Sequence, residues 1–128
     1  MNYLDLIFQI WQELYDKSKD TKTTIEKFFD NDYSQCINGV YMNLSEYFFH
    51  VEEQKKNIQS MSFKLQKSMI QANELFLIYT AEGKTLQNLD IDAEIISYLN
   101  FKDNKIFQIN GQVRLLKGNP ADMDMDAD

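Results

Sequence analysis

With 128 residues, of which 44% are hydrophobic and 26% charged, the chain has the size and composition of one globular domain, which excludes disordered and fibrous proteins. Thirteen basic and twenty acidic residues give a net charge of -7; such a surface repels phosphate backbones and anionic lipid, so neither nucleic acid nor a membrane is an expected partner. The single cysteine cannot close an internal disulfide, and the apolar N-terminus lacks a basic n-region and contains Asp5 and Glu13, so the sequence predicts a cytoplasmic protein.

Three helices are predicted in the first half of the chain. The first is indicated by apolar residues at spacings of three and four: Leu4, Ile7, Phe8, Trp11, Leu14 and Tyr15. A capping box from Thr23 to Glu26 predicts that a short second helix begins with Thr23 as its N-cap. A second capping box, from Asn43 to Glu46, predicts a third helix that ends near Lys56.

After Ile58 the hydrophobic period changes from helical to alternating. The predicted strands cover residues 61–65, 75–81, 91–101 and 105–116. A turn is expected at 72–74 and a turn or bulge at 82–84, while Lys102-Asp103-Asn104 is a tight hairpin signal. A further short strand is expected between the second and third helices.

Helices followed by an antiparallel meander predict an α+β fold, here as one domain over residues 1–118. Residues 119–128 are predicted to form an acidic tail that contains four aspartates at every second position. A calcium loop of the usual type needs a sharp-turn glycine and a bidentate glutamate, and this tail has neither. The sequence therefore predicts a solvated tail, and it predicts no metal site and no cofactor.

Two segments carry a family resemblance. "FFDNDYSQCINGVYMNLSEYFFHVEEQK" at residues 28–55 contains two aromatics, Asp, a Tyr-x-Gln-x-Ile-Asn-Gly strand and turn, and Asn-Leu before a helix with a central His. It resembles the SnoaL-like branch of the nuclear transport factor 2-like superfamily, and "NFKDNKIFQINGQVRLLKG" resembles that family's closing hairpin. The resemblance implies three N-terminal helices packed against a curved, mostly antiparallel sheet that forms a cone with an apolar cavity. It also implies a homodimer through the outer face of the sheet.

Catalysis in such a cone uses an acid or base whose pKa is shifted by a low-dielectric pocket. His50 matches the family's mid-helix His, and Glu94 shares a strand face with apolar residues, so both are candidate general acid/base groups. Each also has a simpler interpretation: His50 as a partly exposed histidine bonded to a neighbour, and Glu94 as a residue at a solvated strand end. Relatives commonly carry His at the position of Cys36 and an acidic residue at Gly111, so the family's usual acid-base pair is expected to be lost.

Six residues are candidates for contact with a ligand: Trp11, Tyr15, Cys36, Asn38, Tyr47 and Tyr79. Each also has a simpler interpretation. The aromatic residues are equally typical of a plain core, Cys36 can be a small buried hydrophobe, and Asn38 can adopt a left-handed conformation in the turn before Gly39. One hypothesis is therefore a SnoaL-like domain that binds a small apolar or aromatic molecule without catalysis. The alternatives are an enzyme like the polyketide cyclases, ketosteroid isomerases or dehydratases, using His50 or Glu94, and a scaffold whose cone is filled by side chains.

Overall fold

The computed structural model describes residues 2–123, which form three α-helices and one curved six-stranded sheet. The helices are α1 (Tyr3–Leu14), α2 (Thr21–Phe28) and α3 (Leu44–Asn57). The strands are β1 (Phe29–Ile37), β2 (Val40–Asn43), β3 (Ile58–Gln71), β4 (Glu74–Thr85), β5 (Asp90–Lys102) and β6 (Lys105–Lys117). This architecture confirms the predicted α+β class. None of the described helices is long and apolar enough to span a bilayer.

The N-termini of α2 and α3 show one wrong and one correct capping prediction. Helix α2 begins at Thr21, and its N-cap is Asp20, whose carboxylate accepts the backbone N–H of Thr23 at 3.0 Å. Thr23 is thus the third residue of the helix and not its N-cap, since the aspartate three positions earlier already accepts its free amide. The capping box of α3 is confirmed, since the side chains of Asn43 and Glu46 each accept the other residue's backbone N–H at 2.9 Å.

The strands are ordered β2-β1-β6-β5-β4-β3 across the sheet. Strands β3 to β6 form the predicted antiparallel meander, and β1 joins it through a parallel pairing with β6. The hairpin between β5 and β6 turns at Asp103 and Asn104, whose φ angles of 53° and 66° suit a two-residue hairpin loop. The long strand β3 forms one edge of the sheet, and its register is interrupted twice along its length.

The predicted turn at residues 82–84 is wrong, because β4 continues to Thr85. An irregularity does occur next to these residues, since the register of β3 shifts between Ile58 and Ser60, which pair with Thr85 and Lys84. Gly83 lies inside β4, where a Cβ atom would collide with the carbonyl oxygen of Ser60 on β3. The glycine therefore permits a close backbone approach rather than a turn. The chain reverses at residues 86–89, where Asn88 adopts a left-handed conformation with φ 65°.

The core lies between the helices and the inward face of the sheet. Helix α1 contributes Ile7, Ile10, Trp11 and Leu14 to it. On β4 and β5 the odd-numbered residues are buried: Leu75, Leu77, Tyr79, Ala81, Ile91, Ala93, Ile95, Ser97, Leu99 and Phe101. After β6 a short 3₁₀ turn, Pro120–Met123, contacts α3. The second half of the predicted acidic tail, residues 124–128, lies outside the described residues.

Candidate functional site

A cavity of about 190 Å³ lies between α1, α3 and the inward face of the sheet. Trp11 and Tyr15 reach it from one face of α1, because they are four residues apart. Tyr47, His50 and Gln54 reach it from α3 at spacings of three and four. Of the twenty described residues that line the cavity, none is Asp, Glu, Lys or Arg, so its wall is apolar with a few polar groups.

Six of the eight predicted site residues line this cavity: Trp11, Tyr15, Asn38, Tyr47, His50 and Tyr79. Cys36 does not line it, although its neighbours Gln35 and Ile37 do. Successive residues of a strand point to opposite faces, so Cys36 lies on the other face of β1.

Glu94 also lies away from the cavity, on the outer face of β5. Its neighbours Ala93 and Ile95 line the cavity, and its own carboxylate accepts a hydrogen bond of 3.0 Å from Nη2 of Arg114 on β6. Glu94 does share a face with Ile96 and the other even-numbered residues of β5, as predicted. That face is the outer one, so Glu94 belongs to a surface ion pair and not to a pocket rim.

Asn38 combines the two roles that the sequence left open. It is left-handed, with φ 53°, in the turn that continues through Gly39. Its side-chain amide accepts from the backbone N–H of Val113 at 2.9 Å and donates to the carbonyl of the same residue at 3.1 Å. The amide therefore ties the β1–β2 turn to β6 at the edge of the cavity, and its hydrogen-bonding groups already have partners.

Two buried glutamines, which the sequence analysis missed, bind tyrosine hydroxyls beside the cavity. The hydroxyl of Tyr33 donates to Oε1 of Gln35 at 2.7 Å, and that of Tyr15 donates to Oε1 of Gln54 at 2.6 Å. Gln35 has a sequence signal, because it shares strand parity with the apolar residues Tyr33 and Ile37. Gln54 lies at helical spacing from Tyr47 and His50, but its tyrosine partner is 39 residues away in the chain and has no sequence signal.

Four tyrosines around the cavity are held in their neutral form. Burial raises the pKa of Tyr33, Tyr47 and Tyr79 above the usual 10.0, and nearby phenols raise it further. Burial also raises the pKa of Tyr15, whose side chain as a whole is only half-buried. These phenols act at neutral pH as hydrogen-bonding groups and not as charges. His50 lies beside them, with its ring centroid 6.3 Å from that of Tyr47.

The indole N–H of Trp11 is the one buried side-chain donor in the described part of the chain that has no hydrogen-bond partner. The Trp11 side chain is 5% exposed and lines the cavity. It lies close enough to Tyr79 to lower the pKa of that phenol, against the larger effect of burial, but the two groups do not meet hydrogen-bond geometry. The cavity wall therefore contains a buried donor that has no hydrogen-bond partner among the described residues.

Comparison with known proteins gives a fold but no activity. No family model matches the chain. "Uncharacterized protein C11D3.04c" of Schizosaccharomyces pombe is 22% identical over 119 residues, which are 93% of this chain and 91% of that protein. A provisionally assigned SnoaL-like polyketide cyclase from Jannaschia sp. CCS1 superposes with a TM-score of 0.67 at 3% identity, covering 86% of this chain and 83% of that one. A nuclear transport factor 2-like protein of unknown function from Exiguobacterium sp. 255-15 superposes with a TM-score of 0.68 at 12% identity, covering 88% and 98%.

Proposed function

We propose that this chain, which has the SnoaL-like nuclear transport factor 2-like fold, binds a small apolar or aromatic molecule in a cone-shaped cavity without transforming it. The observation that carries the proposal is the cavity of about 190 Å³, whose lining among the described residues contains no Asp, Glu, Lys or Arg. Pockets for drug-sized ligands usually enclose about 300–1,000 Å³. A smaller molecule of one or two rings suits this cavity.

The placement of the acid-base candidates supports binding rather than catalysis. Glu94 is paired with Arg114 on the outer face of the sheet, and Gly111 has no side chain to supply an acid. One observation favours a second candidate function, since His50 lines the cavity. In that case the chain is an enzyme like the cyclases, isomerases or dehydratases, with His50 as its general acid/base.

Native mass spectrometry of the protein purified from its host tests the proposal. We expect a bound small molecule of one or two rings, released unchanged when the protein is denatured. The matched control is Ala93→Leu, because Ala93 lines the cavity and is 5% exposed. The added methyl groups should fill the cavity and abolish the bound mass while the protein stays folded.

A protein that never carries or takes up a small molecule would contradict the proposal and favour a filled scaffold. Recovery of a chemically altered molecule after incubation with the wild type, but not with His50→Gln, would instead support the enzyme.

We also propose that two chains associate through the outer face of the sheet. An apolar band on this face supports the proposal: Met69, Phe76 and Tyr98 are direct cross-strand neighbours on β3, β4 and β5. The side chains of Met69 and Phe76 are 76% and 53% exposed, and that of Ile96 next to them is 50% exposed. Apolar surface that is contiguous in this way is typical of an interaction site.

Sedimentation velocity measures the association. The wild type should sediment as a dimer, and Phe76→Glu should sediment as a monomer because it places a charge inside the apolar band. Phe49→Glu is the matched control, since Phe49 is also exposed, at 64%, but lies on α3. A wild type that remains monomeric at high concentration would exclude this interface.

Two further properties are proposed from the sequence. We propose that residues 1–118 form one domain followed by the acidic tail at 119–128. We also propose a cytoplasmic location, because the single thiol of Cys36 has no second cysteine with which to form an internal disulfide.

A further inference from the structure

The indole N–H of Trp11 has no hydrogen-bond partner in the described part of the chain. Its nitrogen is buried without an acceptor among the described residues, and the side chain lies in the cavity wall. A buried donor without a partner costs free energy, and native proteins satisfy nearly all such groups. The neighbouring hydroxyl of Tyr79 lies outside hydrogen-bond geometry, so water or a bound molecule can supply the acceptor at this position.

The charges around the cavity restrict what this molecule can be. No lysine or arginine lines the wall, and His50 is the one lining residue that can carry a positive charge, so a carboxylate or phosphate would lose its hydration without gaining a permanent cation. No aspartate or glutamate lines it either, so a cationic ligand would have only the aromatic rings of the wall to stabilise it. An uncharged ligand requires neither kind of partner and therefore suits this wall best.

The polar groups of the wall point to an acceptor on that ligand. The carbonyl oxygens of Gln35 and Gln54 already accept from Tyr33 and Tyr15, and both hydrogen-bonding groups of the Asn38 amide are bound to Val113. Three acceptors of the wall are thus occupied, while the Trp11 donor is not. A ligand oxygen of the carbonyl type satisfies this donor without requiring another acceptor from the protein.

We propose that Trp11 determines the specificity of the cavity by donating its indole N–H to a carbonyl-type oxygen of an uncharged, one- or two-ring ligand. This inference rests on the proposed function, because it requires that the cavity holds a ligand. It goes further in naming the ligand's chemical class and the atom that recognises it. The apolar walls, with Phe63 and Ile95 among them, contact the ring, and the indole fixes its orientation.

Nuclear magnetic resonance on the ¹⁵N-labelled full chain tests the inference. Trp11 is the only tryptophan, so the protein has a single indole N–H resonance. Acetophenone and ethylbenzene share a ring and a two-carbon substituent, and only acetophenone has the carbonyl oxygen. We expect both to shift resonances of residues that line the cavity, but only acetophenone to move the indole proton downfield. Benzoate should shift none of these resonances.

The Trp11→Phe variant provides the second measurement. It should weaken acetophenone binding about tenfold, the size expected for one hydrogen bond, and leave ethylbenzene binding nearly unchanged. If both neutral probes bind without moving the indole proton downfield, and the variant weakens the binding of both equally, the role of Trp11 is overturned. The proposed ligand site would still stand. If neither neutral probe shifts a cavity resonance, the proposed function fails and the inference fails with it. Should the variant not fold, the wild-type indole resonance alone decides.

Discussion

Above pH 10 the free energy of unfolding is expected to fall by up to about 4 kcal/mol per pH unit from three buried phenols alone, because these phenols resist ionisation. Burial raises the pKa of Tyr33, Tyr47 and Tyr79 above the usual 10.0. In the unfolded chain these phenols release their protons near pH 10, whereas in the folded chain they keep them. Their contribution is complete below pH 10 and is lost as the pH rises toward the folded-state values, so a typical stability of about 5–15 kcal/mol is lost within a few pH units.

Denaturation with urea at a series of pH values measures this slope. Burial lowers the pKa of Lys55 below the ordinary lysine value of 10.5. Loss of its proton in the folded chain therefore raises the free energy of unfolding as the pH rises to that value. Above it this increase ends, and the fall caused by the tyrosines is steepest. Tyr47→Phe should reduce the fall by about 1.4 kcal/mol per pH unit. Tyr41→Phe, which removes an exposed phenol on β2, is the matched control. A free energy of unfolding that stays level to pH 12 would contradict the neutral tyrosine cluster.

Phe29→Ala is expected to lower the free energy of unfolding by about 3–5 kcal/mol. Phe29 is fully buried at the junction of α2 and β1. Its ring centroid lies 5.0 Å from that of Tyr33 and 5.4 Å from that of Tyr47. The substitution removes a large apolar group and leaves a void behind the cavity wall that Tyr47 forms.

Phe49→Ala is the matched control, because Phe49 is 64% exposed on α3. Its free energy of unfolding should stay within about 0.5 kcal/mol of the wild type. Both variants are measured by urea denaturation at neutral pH. A loss of less than about 1 kcal/mol for Phe29→Ala would mean that the aromatic cluster behind the cavity does not support the fold in this way.

Elements with local signals were predictable from the sequence. The apolar spacing of α1 and the capping box of α3 involve residues within one or two turns of each other, so the sequence alone contains the interaction. Gly83 shows the limit of such signals. Its role depends on the carbonyl of Ser60 in the neighbouring strand, and a glycine required for a close approach looks the same in sequence as one required for a turn.

Residues of the site were predictable only where helical spacing or strand alternation fixed which face they occupy. Trp11 and Tyr15 follow from the stripe of α1, whereas Glu94 and Cys36 required a choice between two faces of a strand. Alternation shows which residues share a face but not which face is inward, and the apolar residues on the outer face of β5 made that face resemble a core. Gln54 follows Tyr47 and His50 at helical spacing, but its hydrogen bond with the hydroxyl of Tyr15, 39 residues away, could not be predicted from that spacing.

The interrupted edge of the sheet has a consequence for aggregation. A long, regular edge strand offers a row of free backbone groups to which a strand of another molecule can add. Strand β3 has 14 residues at such an edge, but its register shifts between Ile58 and Ser60 and again between Leu65 and Lys67. The exposed lysines Lys64 and Lys67 flank the second shift. Together these features disfavour growth of a continuous intermolecular sheet from this edge.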